Sequence, residues 1–130
     1  LWAGLLLSVS LLASLAGLIF VEKDDWRGTV AYANQNSQPG DVAVLEPFFN
    51  TKPVAYYGLI PPVEAIAIVK KSEYVSQGDI WLLVQRQPGR EDLISPTEQW
   101  LDANYQLREA VPFPRMEIRH YYLDTDTRAE

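Results

Sequence analysis

The chain opens on an oily stretch, residues 1–21, without one charged side chain, and Glu22, Lys23, Asp24, Asp25 and Arg27 then arrive within six positions. As a helix such a run covers roughly 30 Å, the hydrocarbon thickness of a bilayer, so it predicts a transmembrane helix. Its polar members are Ser8, Ser10 and Ser14, whose hydroxyls bond back to helix carbonyls, while Gly4, Ala13, Ala16 and Gly17 offer small surfaces to a neighbouring helix. A secretory signal is the competing reading. It calls for a basic start and small residues before the cleavage point, whereas Leu18, Ile19, Phe20 and Val21 end this run. Because the chain starts on Leu1 and not on methionine, it is expected to be an interior piece of a longer protein or a processed product.

Beyond residue 22 the pattern changes to short elements. Asp24 or Asp25 caps a helix that begins near Trp26, carries Trp26, Val30, Ala33 and Ser37 on one face, and stops before Pro39. Gln38-Pro39-Gly40-Asp41 is a turn, and Val42-Ala43-Val44-Leu45 is an apolar run too short for a helix, which predicts a buried strand. A loop at Glu46-Pro47-Phe48-Phe49-Asn50 follows, and Pro53 starts one or two helical turns that reach Tyr57 before Gly58. After Pro61-Pro62, residues 63–69 mix isoleucine and valine with Ala65 and Ala67, and are expected to form a strand. Ile80-Trp81-Leu82-Leu83-Val84 reads as a central strand buried on both sides. Residues 87–94 form a mostly polar surface loop, and Ser95-Pro96-Thr97-Glu98 spells a capping box that opens a helix through Trp100, Leu101 and Tyr105. Residues 107–113 and 116–123 predict an antiparallel hairpin at the sheet edge, and the charged tail 124–130 is expected to fray. The order of elements predicts an α/β fold: an N-terminal transmembrane helix (1–21), then a small three-layer domain (22–123) with a mainly parallel sheet and an antiparallel edge.

Charge narrows the partners. Seventeen acids against eleven bases give a net charge of −6, which argues against nucleic acid, since phosphate backbones are bound by clustered lysine and arginine. Near the end of the oily run the bases are Lys23 and Arg27, diluted by acids, which leans toward an expectation that the domain lies on the exoplasmic, periplasmic or extracellular, side of a cell membrane. With no cysteine and a single histidine, His120, the chain holds no disulfide and no set of zinc-type ligands. It also lacks a glycine-rich phosphate loop and a nucleophile elbow.

The remaining candidates each carry a bland reading beside the functional one. Asp24 and Asp25 suggest a carboxylate pair or metal clamp, yet helix capping accounts for them. Arg27 and Lys52 suit steering of a lipid phosphate or simple snorkelling, and Arg86, Arg90 and Glu91 repeat that idea in the loop after the main strand. Phe48, Phe49, Tyr56 and Tyr57 are candidates for a contact surface or for packing. Trp26 suits an interfacial aromatic belt, Trp81 and Trp100 a core, and His120 a satisfied or solvated position.

Lys23-Asp24-Asp25-Trp26-Arg27-Gly28, Tyr32-Ala33 and Gln38-Pro39-Gly40-Asp41-Val42, set behind an apolar run, are followed by Tyr56-Tyr57-Gly58, the strand at Ile80 to Val84, Trp100-Leu101-Asp102-Ala103-Asn104-Tyr105 and Ile118 to Leu123. In that order they resemble the C-terminal region of bacterial polytopic glycosyltransferases of the dolichyl-phosphate-mannose protein mannosyltransferase type, glycosyltransferase family 39 with the GT-C fold. The resemblance implies a membrane enzyme that moves a hexosyl group, mannose in the type family, from a polyprenyl-phosphate donor to a glycan, lipid or protein acceptor. This chain would supply the last span and an exoplasmic domain over the active site, with membrane lipid and the remaining transmembrane helices as its neighbours. The family's catalytic carboxylate lies far upstream, and no residue here matches it. No catalytic, cofactor-binding or metal residue is therefore assigned, and the chain is expected to be inactive alone. The alternatives are a non-enzymatic, single-pass anchored binding module and a stand-alone α/β enzyme with an uncleaved signal.

Overall fold

Helix α1 (Trp26–Asn36) starts where the sequence supplies a cap: the Asp25 carboxylate accepts the Gly28 N–H at 2.9 Å. A Cβ on residue 28 would stand 2.3 Å from that carboxylate, so the tight cap requires glycine. The structure is a computed structural model that describes residues 23–71, 74 and 78–123. Trp26, Thr29, Val30 and Ala33 form the buried face of α1. Trp26 therefore sits in the domain core and not in an interfacial belt.

After α1, Gly40 takes a left-handed φ of 95° and returns the chain into β1 (Val42–Glu46). Helix α2 (Thr51–Tyr56) and the single turn α3 (Ile66–Val69) lead to β2 (Ile80–Gln85), which runs parallel to β1 with Val42 opposite Ile80 and Glu46 opposite Val84. The capping box forms as spelled, with Ser95 Oγ accepting Glu98 N–H at 3.1 Å and the Glu98 carboxylate accepting Ser95 N–H at 3.0 Å. It opens α4 (Pro96–Asn104), and the chain finishes as the hairpin β3 (Gln106–Phe113) and β4 (Met116–Tyr122).

Strand order is β1-β2-β4-β3, and this corrects the expected architecture. Of the three pairings one is parallel, β1 with β2, while β2 with β4 and β4 with β3 are antiparallel, so the sheet is mixed and not mainly parallel. The reason lies in the hairpin, which supplies half the sheet and not a trim on its edge. β4 buries side chains on both faces, Ile118 on one and Tyr121 on the other, so it takes the interior place beside β2; β3 is mostly exposed and takes the rim. The strand expected over residues 63–69 is also corrected. Val63 makes a single parallel bridge to Ala43, where Ala43 N–H meets Pro62 O at 2.9 Å and Glu64 N–H meets Ala43 O at 2.7 Å, and the chain then coils into α3. Pro62 has no N–H to extend a ladder, so the bridge covers the β1 edge without adding a strand.

Among the described residues there are four short helices, and none is long and apolar enough to cross a membrane. The span expected over 1–21 and the frayed tail expected over 124–130 lie outside the described residues.

Helices cover both faces. α1 and α2 enclose Ala43, Leu45, Trp81, Leu83 and Ile118, and α3 and α4 enclose Val44, Ile80, Leu82, Val84 and Tyr121. At the amino ends of β1 and β2 the buried Asp41 carboxylate ties three donors: Gln38 N–H at 2.9 Å, Asp79 N–H at 2.8 Å and the Trp81 indole N–H at 2.9 Å. Asn at position 41 would turn one acceptor into a donor facing these N–H groups. Asp41→Asn is therefore expected to lower stability by about 2 kcal/mol in urea denaturation, and a midpoint equal to that of the parent would refute the role given to Asp41.

Candidate functional site

The carboxyl ends of β1 and β2 are the place where a sheet of this kind leaves a crevice. Gln85 closes β2 there as a junction: its amide N–H donates to Asp24 Oδ2, and its Oε1 accepts from Asn50 Nδ2 at 2.9 Å. Arg115, on the β3–β4 turn, places Nε 3.2 Å from Asp24 Oδ1, and Asp25 N–H donates to Pro114 O at 3.0 Å. The start of α1, the loop after β1 and the hairpin turn therefore converge on one end of the sheet. A cleft of about 380 Å³ opens beside them, walled by Glu46, Pro47, Gln85, Arg90, Leu93 and Ile94, with Arg86 and Glu98 on its inner side.

The charges behind this cleft are already matched. Arg86 grips Glu98 with both ends of its fork, at 2.8 and 2.7 Å, and also contacts Glu117. Arg119 continues the network to Asp102 at 3.1 Å and to Glu117 at 3.6 Å, and its Nε donates to the Tyr121 hydroxyl at 2.8 Å, which itself donates to Asp102 at 2.7 Å. Burial of Glu98, 1 % exposed, pushes its carboxyl up, but the Arg86 fork and the Ser95 N–H outweigh that and hold it below the usual range. Burial pushes the Tyr121 hydroxyl upward, and its bond to Asp102 adds to the rise. A general acid needs a carboxyl raised toward neutrality, and Glu98 moves the other way. The network is a clamp of α4 against the sheet, and it leaves neither arginine open to an anionic ligand. Arg86, a candidate on the sequence for the loop after the main strand, is thus internal.

His120 lies at the opposite end of the sheet. Its Nε2 is 2.7 Å from Asp79 Oδ2, and its ring stacks on Trp81 at 3.8 Å and 15°. An imidazole held by a carboxylate is one half of a nucleophilic device, but among the described residues no hydroxyl or thiol bonds to it. Among the described residues no three histidine, cysteine or acidic side chains gather around a common metal position.

The six contact candidates divide into two groups. Phe48 and Phe49, 75 % and 67 % exposed, pack edge to face at 5.7 Å on the loop leaving β1, and Arg27 and Lys52 occupy the first turns of the two helices that start at that same end. Tyr56 and Tyr57 pack at 4.9 Å at the other end of α2, close to where Asn34 Nδ2 donates to Gly58 O at 3.0 Å. Sequence reasoning missed Leu93 and Ile94, 52 % and 57 % exposed, which share the cleft wall with Pro47 and so adjoin the phenylalanine loop. The available signal was a pair of branched apolar residues at the end of an otherwise polar loop.

The folded-state value of Glu98 is depressed, so its contribution is complete above the unfolded-state value of about 4.3 and is lost as pH falls through the lower folded-state value. Glu98→Gln leaves Arg86 against a neutral amide. Urea midpoints measured from pH 7 downward should show a loss of about 3 kcal/mol at neutral pH and a shallower decline below pH of about 4.5. A variant with the parent's acid profile would contradict the clamp.

No family model, curated protein or solved structure matches the chain.

Proposed function

We propose that this chain is the C-terminal, exoplasmic part of a membrane glycosyltransferase that draws its sugar from a polyprenyl-phosphate donor, and that the domain shapes the approach to an active site built elsewhere in the protein. The resemblance of the ordered segments between Lys23 and Leu123 supports the family reading. One structural observation supports the covering role: the Phe48–Phe49 pair stands out into solvent at the sheet end to which Asp24 and Asp25 tie the incoming chain. Two adjacent rings with so little of their surface covered are a contact surface in search of a partner. The matched charges of Arg86, Glu98, Glu117 and Arg119 agree with a domain that positions and does not itself transfer. Arg27 and Lys52, exposed in the first turns of the two helices that start at this end, are cations suited to the phosphate of a lipid carrier.

Phe48→Ala combined with Phe49→Ala in the full gene product tests this. Both rings are exposed, so the domain should fold and the protein accumulate normally, while transfer to acceptor falls about tenfold, which corresponds to about 1.4 kcal/mol in the barrier. Undiminished transfer, read as acceptor glycosylation in isolated membranes, would remove the covering role.

A further inference from the structure

We infer that the cleft between the loops after β1 and β2 is a subsite for an uncharged sugar ring, held by Glu46, Gln87 and Arg90. The inference rests on the reading above for the kind of molecule the protein handles, and on the cleft alone for where that molecule binds.

Topology selects the place. β1 and β2 are neighbours and run parallel, yet the chain leaves them in opposite directions: β1 leads to α2, whose Val54 packs on one face of the sheet, and β2 leads to α4, whose Leu101 packs on the other. Two adjacent loops that part in this way leave a crevice at the carboxyl ends of their strands. Its volume of about 380 Å³ is within the range of small-molecule sites.

Uncommitted polar groups set this cleft apart from two others. A cleft of about 520 Å³ at the hairpin turn has its charges engaged, Arg86 with Glu98 and Glu117, Arg115 with Asp24, and Glu91 with Gly89 N–H. In a cleft of about 350 Å³ at the amino end of β1, Asp41 is occupied by its three donors. Between the loops after β1 and β2, by contrast, half-buried Glu46 and exposed Gln87 and Arg90 make no side-chain hydrogen bond or ion pair with the described residues.

A carboxylate, an amide and a guanidinium around one opening call for a ligand whose groups both donate and accept, as adjacent hydroxyls do. Other ligand classes meet an obstacle here. An anion would face Glu46, with Glu98 on the inner side, and Arg86 already gives both ends of its fork to Glu98. A wholly apolar ligand would strip water from Glu46 and Arg90 and return no bond. A sugar ring avoids both penalties: its hydroxyls serve the polar groups, and its C–H faces cover Pro47, Leu93 and Ile94.

Amide chemical shifts of the full chain in detergent micelles, titrated with methyl α-mannopyranoside, test this. The amides of Glu46, Gln87 and Arg90 are expected to shift together with a dissociation constant on the order of 1 mM, as suits a ligand of that size. Glu46→Gln keeps the size of the side chain, removes the charged acceptor, and should weaken binding about tenfold. Asp92→Asn, in the loop after β2 but outside the cleft wall, should leave binding unchanged. Absence of shifts at about ten times that concentration, or equal weakening by both variants, would overturn the subsite. Cleft amides that move with inorganic phosphate or with glycine, and not with the sugar, would overturn it as well, in favour of an anion or a zwitterion. Sugar-dependent shifts with transfer undiminished in the alanine pair would keep the subsite and discard the covering role. No shifts with transfer reduced would do the reverse.

Discussion

Strand β2 carries apolar side chains on both of its faces, Ile80, Leu82 and Val84 toward one helical layer and Trp81 and Leu83 toward the other, and all five are almost wholly removed from water. Such a strand has no face to leave in solvent, so each side of the sheet must be covered, and it must have a neighbour on each edge. β1 supplies one neighbour and β4 the other. The remaining elements follow from this demand: α1 and α2 close one side, α3 and α4 the other, and β3 and the Val63 bridge shield the outer edges. An unfilled side would leave about 2 kcal/mol of burial unrealised for each large side chain, which for a domain of this size is a sizeable part of its margin.

The two ends of this strand are finished by different chemistry. At its amino end the Asp41 carboxylate gathers backbone and indole donors, and His120 lies flat on the same indole, so a polar group and an aromatic stack lock β1, β2 and β4 together. At its carboxyl end Gln85 joins the entering chain to the loop after β1, and Arg86 couples β2 to α4 and β4 through Glu98 and Glu117. Both ends satisfy groups that burial would otherwise leave unpaired. The carboxyl end differs in what surrounds it. There the loops that carry Phe48, Phe49, Leu93 and Ile94 leave apolar surface in solvent beside a cleft.

A domain whose buried charges are internally matched, and which exposes Phe48, Phe49, Leu93 and Ile94 at the sheet end held by Asp24 and Gln85, is suited to fixing position and orientation. The proposed division, positioning here and chemistry elsewhere, starts from titratable groups that serve the cohesion of the fold.

Local signals in the sequence determined local structure. The Asp25 cap and the helix from Trp26, the Ser95-Pro96-Thr97-Glu98 box, the all-apolar run at Ile80 to Val84, and the alternation along Met116 to Tyr122 each depend on residues close together in the chain, and each forms as those residues dictate. Periodicity could not decide the neighbour of β2, because pairing depends on how much apolar surface two competing strands bury, and β4 wins over β3 on that count. Nor could it decide residues 63–69, where a strand-rich composition gives way to a bridge and a turn once the β1 edge needs only one covering contact. The candidate surface divided in the same way: exposed Phe48 and Phe49 were legible as aromatics on a loop, but their union with Leu93 and Ile94, and the capture of Arg86 by Glu98 and Glu117, join residues far apart in the chain. Sequence spacing carries no measure of such distances, and only the folded sheet brings them to one end.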